Sequence, residues 1–279
     1  MARPRCLYCG AALGAAALAA AETASRAARH DTLAASAART LVLLDLTRGD
    51  ASEIARRLGL SLYEARQRLA RGGVQFQRVV PAADAAAESE RLRGLAVILV
   101  PEDELRPALE PVPVQGGSFE AGVLELRAPH GPLRVQAQDV LGLVRGPITR
   151  EYAAEGSGPR RRIASAGLEP GYRFHLHRHQ GPPVELDAWG FEFRERDQGR
   201  SSLLTLTGWC LELAKGRPQD DGFRLEAPAL SPSEQAADEA QRALGRSQRP
   251  KHAGVILDNL RQFRYYSGWR AACLRRANG

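Results

Sequence analysis

The chain has 279 residues, 44% hydrophobic and 25% charged, enough for one large domain or two modest ones with their own cores. No apolar run approaches the roughly 18 residues that cross a bilayer, and four cysteines at these spacings do not make a secreted disulfide framework, so a cytoplasmic location is expected. The net charge of +7 is almost wholly arginine, with Lys215 and Lys251 the only lysines; it suits an anionic partner, and, spread along the chain apart from Arg160-Arg161-Arg162, it also suits a mixed solvated surface.

The chain opens with Arg5-Cys6-Leu7-Tyr8-Cys9-Gly10, followed by an Ala-rich stretch that favours helix over residues 13–29. That stretch is too weakly apolar for a secretory signal. A Cys-x-x-Cys turn ending in glycine presents two thiolates to one tetrahedral zinc. Residues 5–10 resemble the first half of a zinc ribbon, without the second half. Structural zinc needs four ligands, and His30 and Asp31 are candidates beside Cys6 and Cys9, unless two chains each donate a knuckle. The alternatives are a reduced pair in the head of the chain or a redox pair. Residues 1–39 are taken as a head segment.

Residues 40–106 form the best-defined unit. Residues 40–46 read as a buried strand. Asp50 and Ser61 each sit three residues before a glutamate, Glu53 and Glu64, in the capping-box pattern, and so open two helices. Ile54, Leu58 and Leu60 give the first helix its apolar side; Leu62, Ala65 and Leu69 give the second one face, which Gly72-Gly73 closes. Residues 74–80 alternate as a strand does, Pro81 opens a third helix through Leu92, and residues 95–100 are a third strand. The order is β-α-α-β-α-β.

The helix pair joined at Leu58-Gly59-Leu60 is similar to a helix-turn-helix, with Arg66, Arg68 and Arg71 in reach of nucleic acid, though such pairs belong to three-helix bundles rather than between strands. Residues 40–100, with Gly59-Leu-Ser-Leu-Tyr-Glu-Ala-Arg66 at their centre, resemble the C-terminal domain of the bacterial ribosomal stalk protein, whose fold the Clp-protease adaptor shares. Gly59, Leu60, Leu62, Glu64 and Ala65 match the stalk pattern, Arg66 keeps a charge, and Tyr63 stands where the pattern has lysine. The resemblance implies a protein-binding module whose helix pair makes the contact through Ile54, Arg57, Leu62, Tyr63 and Arg66. The competing reading of these residues is core for the apolar ones and solvated face for the arginines.

Residues 107–117, rich in proline and ending in Gly116-Gly117, are expected to be a linker. Short alternating segments follow, and a helix containing Leu203, Leu206, Trp209, Cys210 and Leu213 closes them before Gly216. Residues 118–226 are thus a β-rich domain, a small curved sheet or partial barrel, whose shape is similar to a pleckstrin-homology-like body. Residues 227–254 read as a flexible linker. Residues 255–279 read as an amphipathic helix, docking on its own β-rich domain, on another chain or on a membrane surface.

The fold class expected is therefore α+β. His175-Leu-His-Arg-His179 places three imidazoles on one strand face, read as solvated or as part of a metal site. No nucleophile elbow, Walker loop or dinucleotide fingerprint is present. The leading expectation is a non-enzymatic protein-binding adaptor, possible zinc at Cys6, Cys9 and His30 aside. The alternatives are a nucleic-acid-binding regulator and a metal-dependent enzyme built on the histidine strand.

Overall fold

A computed structural model describes residues 39–154, 164–193, 202–233 and 254–278. The chain is an α+β protein of two compact units that meet in sequence between Asp103 and Glu104. Among the described residues no helix is long and apolar enough to cross a membrane.

The first unit follows the element order read from the sequence: β1 (Arg39–Asp45), α1 (Ala51–Leu58), α2 (Leu62–Arg71), β2 (Val74–Pro81), α3 (Ala85–Arg91) and β3 (Ala96–Pro101). β1 is the central strand of an antiparallel sheet, order β2-β1-β3. Its five residues from Thr40 to Leu44 are all buried, as a strand covered on both faces requires. Val42 and Leu44 face the helices and pack with Leu46, Ile54, Ala65 and Leu92. The Asp50 carboxylate accepts from the Glu53 N–H to start α1. Gly59, at φ +66°, stops it with a left-handed turn that a β-carbon would strain. At Ser61 the reciprocal capping box forms: the hydroxyl accepts from the Glu64 N–H, and the Glu64 carboxylate accepts from the Ser61 N–H at 2.8 Å.

Glu88 on α3 is buried and receives the guanidinium groups of Arg91 and Arg78. Arg91, Arg78 and their charges hold its carboxyl down to about 2. A depressed carboxylate contributes stability that is whole above its unfolded value near 4.3 and is lost as pH falls towards 2. Glu88→Gln is expected to lower the stability of this unit by about 1.5–3 kcal/mol at pH 7. It should also flatten that acid limb, read by hydrogen exchange of peptides from α3 and β2 at pH 7, 4 and 3.

The second unit begins at Glu104 and takes in the expected linker. Residues 107–117 instead hold most of α4 (Arg106–Leu109), β4 (Val112–Val114) and the start of β5 (Gly116–Glu120). The prolines fit because of where they stand. Pro107 is in the first turn of α4, where no N–H is needed, and Pro113 is in an edge strand bonded to one neighbour. β6 (Val123–Ala128), β7 (Gly131–Gln136) and β13 (Glu192–Phe193) join β5 in a four-stranded sheet, order β13-β5-β6-β7. A five-stranded sheet has the order β14-β8-β11-β12-β4, with β8 (Val140–Ile148), β11 (Gly171–Arg178), β12 (Val184–Asp187) and β14 (Gln219–Asp220). Leu124, Leu126 and Val135 of the smaller sheet pack with Leu143, Phe174, Leu176 and Leu186 of the larger, and α5 (Ser202–Leu213) adds Leu206, Cys210 and Leu213. A third sheet, β10-β9-β16-β15, is formed by β9 (Arg150–Ala154), β10 (Ala164–Gly167), β15 (Ser231–Pro232) and β16 (Gly254–Asp258).

The C-terminal helix is shorter than expected at its start. Residues 255–258 belong to strand β16, and α6 runs from Leu260 to Asn278. The β-branched pair Val255-Ile256 favours the strand, and the Asp258 carboxylate accepts from the Leu260 N–H to begin the helix. Of the expected linker 227–254, the described part holds β15, which pairs with β16; residues 234–253 lie outside the described residues. α6 docks on its own unit, against the second face of the five-stranded sheet. A glycine on β8 makes room for it: a β-carbon at Gly142 would lie 2.7 Å from Leu274 Cδ1.

Candidate functional site

Two places in the chain bring chemistry-bearing residues together, one in each unit. In the first unit, the residues expected at a partner interface separate into two groups. Ile54 is completely buried among the core residues of α1, so it is not a contact residue. Arg57 is a brace: its Nε donates to Glu53 at 2.8 Å, and its carbonyl accepts from Arg91 at 3.1 Å. Leu62, Tyr63 and Arg66 remain exposed, Leu62 at 42% and Tyr63 at 70%. Arg66 lies four residues from Leu62 and three from Tyr63 at the start of α2, so it neighbours each of them on the helix surface. The capping box holds that first turn, and the Tyr63 hydroxyl accepts from Gln67 Nε2 at 2.8 Å. Arg48, Arg66 and Arg71 make no ion pair among the described residues, whereas Arg39, Arg56, Arg57, Arg78, Arg91 and Arg93 all do. Cys6, Cys9 and His30 lie outside the described residues.

In the second unit the structure overturns the expected solvated face at residues 175–179. His175 and His177 are 0% and 1% exposed, and only His179 is open to solvent. β11 is covered on both faces, by α5 on one and α6 on the other, and the alternation that separates its faces carries no information on which of them is wet. His175 Nδ1 lies 2.8 Å from Ser267 Oγ and its Nε2 lies 2.9 Å from Glu185 Oε2; His177 Nε2 lies 2.7 Å from the same Ser267 Oγ. Arg264 closes the chain, its Nε and Nη2 donating to Glu185 at 2.8 and 2.9 Å. Phe263 packs edge-on against His175 at 4.9 Å.

The direction of every hydrogen bond follows from one fact. An ionised carboxylate only accepts. His175 Nε2 therefore carries the proton that meets Glu185, which leaves Nδ1 to accept from the Ser267 hydroxyl. The Ser267 oxygen then accepts from His177 Nε2–H, and His177 Nδ1 is a bare acceptor, buried without a partner among the described residues. The network is complete only with both imidazoles neutral. Burial lowers the His175 pKa against the pull of Glu185, and burial, with His175 and Arg275, lowers that of His177 further. Arg264 and His175 hold the Glu185 carboxyl far below the usual range despite its burial.

Serine, histidine and glutamate are the residue types of a nucleophile relay. Here the Ser267 side chain is fully buried and its hydroxyl is committed between two rings, so this arrangement serves to fasten α6 to the sheet. Both nitrogens of His175 are taken, and among the described residues no group of three or more His, Cys, Asp or Glu is placed to hold a metal ion. On the solvent side of Glu185 and Arg264 is a cavity of about 480 Å³, walled also by Arg173, Asp187, Trp189 and Asp258. Arg173 pairs with Asp187 as Arg264 does with Glu185, so the wall consists of matched ion pairs rather than one sign of charge.

The sequence offered little toward this network. Ser267 is 92 residues from His175, and Arg264 is 79 from Glu185. A local signal is the pair of small residues Ser267-Gly268 after the larger Phe263, Arg264, Tyr265 and Tyr266. A β-carbon at Gly268 would lie 3.2 Å from the β-carbon of Ala108, so Gly268 marks where α6 packs closely on α4. Comparison of the chain with family models, with curated proteins and with solved structures found no match.

Proposed function

We propose that the chain is a non-enzymatic protein-binding adaptor, with Leu62, Tyr63 and Arg66 on α2 as its contact residues. The observation that carries this reading is the exposure of Leu62 and Tyr63 at the head of a helix fixed by a capping box. Tyrosine and arginine are the residue types that dominate interface energetics, and a pre-ordered turn spares the ordering entropy of binding. The likeness of residues 40–100 to the stalk-protein domain implies the same use of the helix pair. Ile54 and Arg57 act behind that surface, as core and brace.

The test is a photo-crosslinking amino acid at position 63 in the full chain, irradiated in native lysate with and without nuclease. A single protein adduct that survives nuclease and disappears on Leu62→Asp or Arg66→Glu is expected. Both substitutions are at exposed positions and should shift stability by no more than about 0.5 kcal/mol. An adduct that persists in both variants removes the helix face from the interface. The unpaired Arg48, Arg66 and Arg71 favour a second reading, nucleic-acid binding. In that case the adduct contains nucleic acid, and affinity falls steeply with salt.

A further inference from the structure

The cover that α6 gives the five-stranded sheet thins towards the start of the helix. His175 and Glu185 are buried beneath it, whereas Arg173 and Asp187, two residues along the same strands and paired with each other, have side chains 17% and 35% exposed. They stand in the wall of the cavity of about 480 Å³, a volume in the range of small-molecule sites. Its wall carries Arg150, Arg173 and Arg264 against Glu185, Asp187 and Asp258, three charges of each sign. The hydrogen-bonding capacity of these groups is not exhausted. Asp258 is 6% exposed and makes no ion pair among the described residues; its Oδ1 accepts from the Leu260 N–H at 3.0 Å, and its Oδ2 accepts from none of them. Asp187 spends Oδ1 on Arg173 Nη1 and on the Trp189 N–H, which leaves Oδ2 open. Arg173 has no partner among the described residues for Nη2 or for its buried Nε. Glycines keep the space clear. Neither Gly171 nor Gly190 has a positive φ, so the backbone requires glycine at neither. A β-carbon at Gly190 would lie 3.4 Å from Asp187 Oδ2, and one at Gly171 would lie 3.7 Å from Arg173 Nη1 and 3.8 Å from Trp189 Cδ1. The Trp189 ring is half-exposed yet held in place, its Nε1 donating to the Pro170 carbonyl at 2.6 Å.

We propose that this cavity binds a small zwitterion, a free α-amino acid with an apolar side chain, its ammonium on Asp258 Oδ2, its carboxylate on Arg173 Nη2 and its side chain against Trp189. The open carboxylate oxygens of Asp258 and Asp187 accept only, and the unspent N–H groups of Arg173 donate only, so the wall offers complements to both ends of such a ligand. Net charge selects between ligand classes. The wall is balanced, so a ligand of one sign leaves an excess charge in a partly buried place, whereas a zwitterion leaves none. Ile148, Leu260 and the fixed indole supply the apolar part of the lining, and an aromatic ring already held in place binds without an ordering cost. The site lies wholly within the second unit and does not depend on the contact residues of α2.

The experiment titrates the full chain with each of the standard L-α-amino acids, read by tryptophan fluorescence and by saturation-transfer NMR of the ligand. One or more with an apolar side chain should bind. Binding of none at millimolar concentration, or only of those with charged side chains, overturns the inference. For an amino acid that binds, its amide keeps the ammonium alone and its deaminated acid keeps the carboxylate alone. Each should bind at least about tenfold more weakly. An amide that binds equally well makes this a cation site, and an acid that does so makes it an anion site; either result overturns the zwitterion. Asp258→Asn keeps an oxygen to cap α6 and removes the charge. It should weaken the amino acid at least about tenfold and leave the deaminated acid unchanged; an unchanged amino-acid affinity removes Asp258 from the site and overturns the assignment. Gly190→Val, at an exposed position, should abolish binding with the urea midpoint unchanged, and binding that persists places the ligand elsewhere.

Discussion

Arg264→Met is expected to destabilise the second unit by about 3–5 kcal/mol, the range for removing one partner of a buried ion pair. Both side chains are largely buried, Arg264 at 14% and Glu185 at 8% exposure. The guanidinium is the cation that meets both oxygens of Glu185. Without it the carboxylate keeps, among the described residues, the His175 N–H, and it must either remain charged in a poorly solvated place or take up a proton. If it takes up a proton, its acceptor role toward His175 weakens and the Ser267 chain behind it is disturbed. All three tryptophans, Trp189, Trp209 and Trp269, are in this unit, so urea unfolding followed by indole fluorescence reports on it alone. The double variant Glu185→Leu with Arg264→Met should recover part of the loss, because the buried carboxylate is then removed together with its guanidinium. It should remain below the parent by about 1–3 kcal/mol, since His175 Nε2–H is left buried without an acceptor. A loss below 1 kcal/mol in the single variant would mean that water from the adjoining cavity solvates Glu185.

The elements of the first unit were legible because their signals are local. Asp50 with Glu53, Ser61 with Glu64, and the glycines at 59 and 72 each act within four residues of the helix end they define. The second unit was legible in several of its strands and in α5 but not in its joints, where one alternating run over 119–126 is the hairpin of β5 and β6. Proline at 107 and 113 reads as linker in isolation, and is compatible with a helix start and an edge strand only because of what lies beside it. Residues 255–258 shared an apolar pattern with the helix that follows, and the strand is fixed by pairing with β9, a hundred residues earlier. The histidines were misjudged for the same reason. Alternation along β11 assigns His175 and His177 to one face, but whether that face is wet depends on α6. Helical spacing put Leu62 on the apolar face of α2, whereas the structure leaves it exposed, as the contact reading of Leu62 and Tyr63 requires.

The neutral histidine pair makes the second unit sensitive to mild acid. Both imidazoles are depressed in the fold, so each takes up a proton on unfolding once the pH is below about 6.5, the value for an unfolded chain. More protons bound in the unfolded state means that stability rises with pH. The unit is therefore at full stability above about pH 6.5 and loses it as pH falls, by up to about 1.4 kcal/mol per pH unit for each imidazole. Glu185 contributes in a separate window, because a depressed carboxylate is lost only below its unfolded value near 4.3. The groups facing the pair agree on the sign. Arg264, Arg173 and Arg275 repel a cation, and the attraction of Glu185 for His175 does not outweigh burial. His177→Leu separates the two contributions, since it removes one titrating ring and leaves Ser267 donating to His175. Its slope of stability against pH between 6.5 and 5 should be clearly shallower than that of the parent, read by the same tryptophan fluorescence. If the parent is equally stable at pH 5 and 7.5, a proton reaches His177 Nδ1 without opening the fold, and α6 is held by its apolar contacts rather than by the ordered chain from His177 to Glu185.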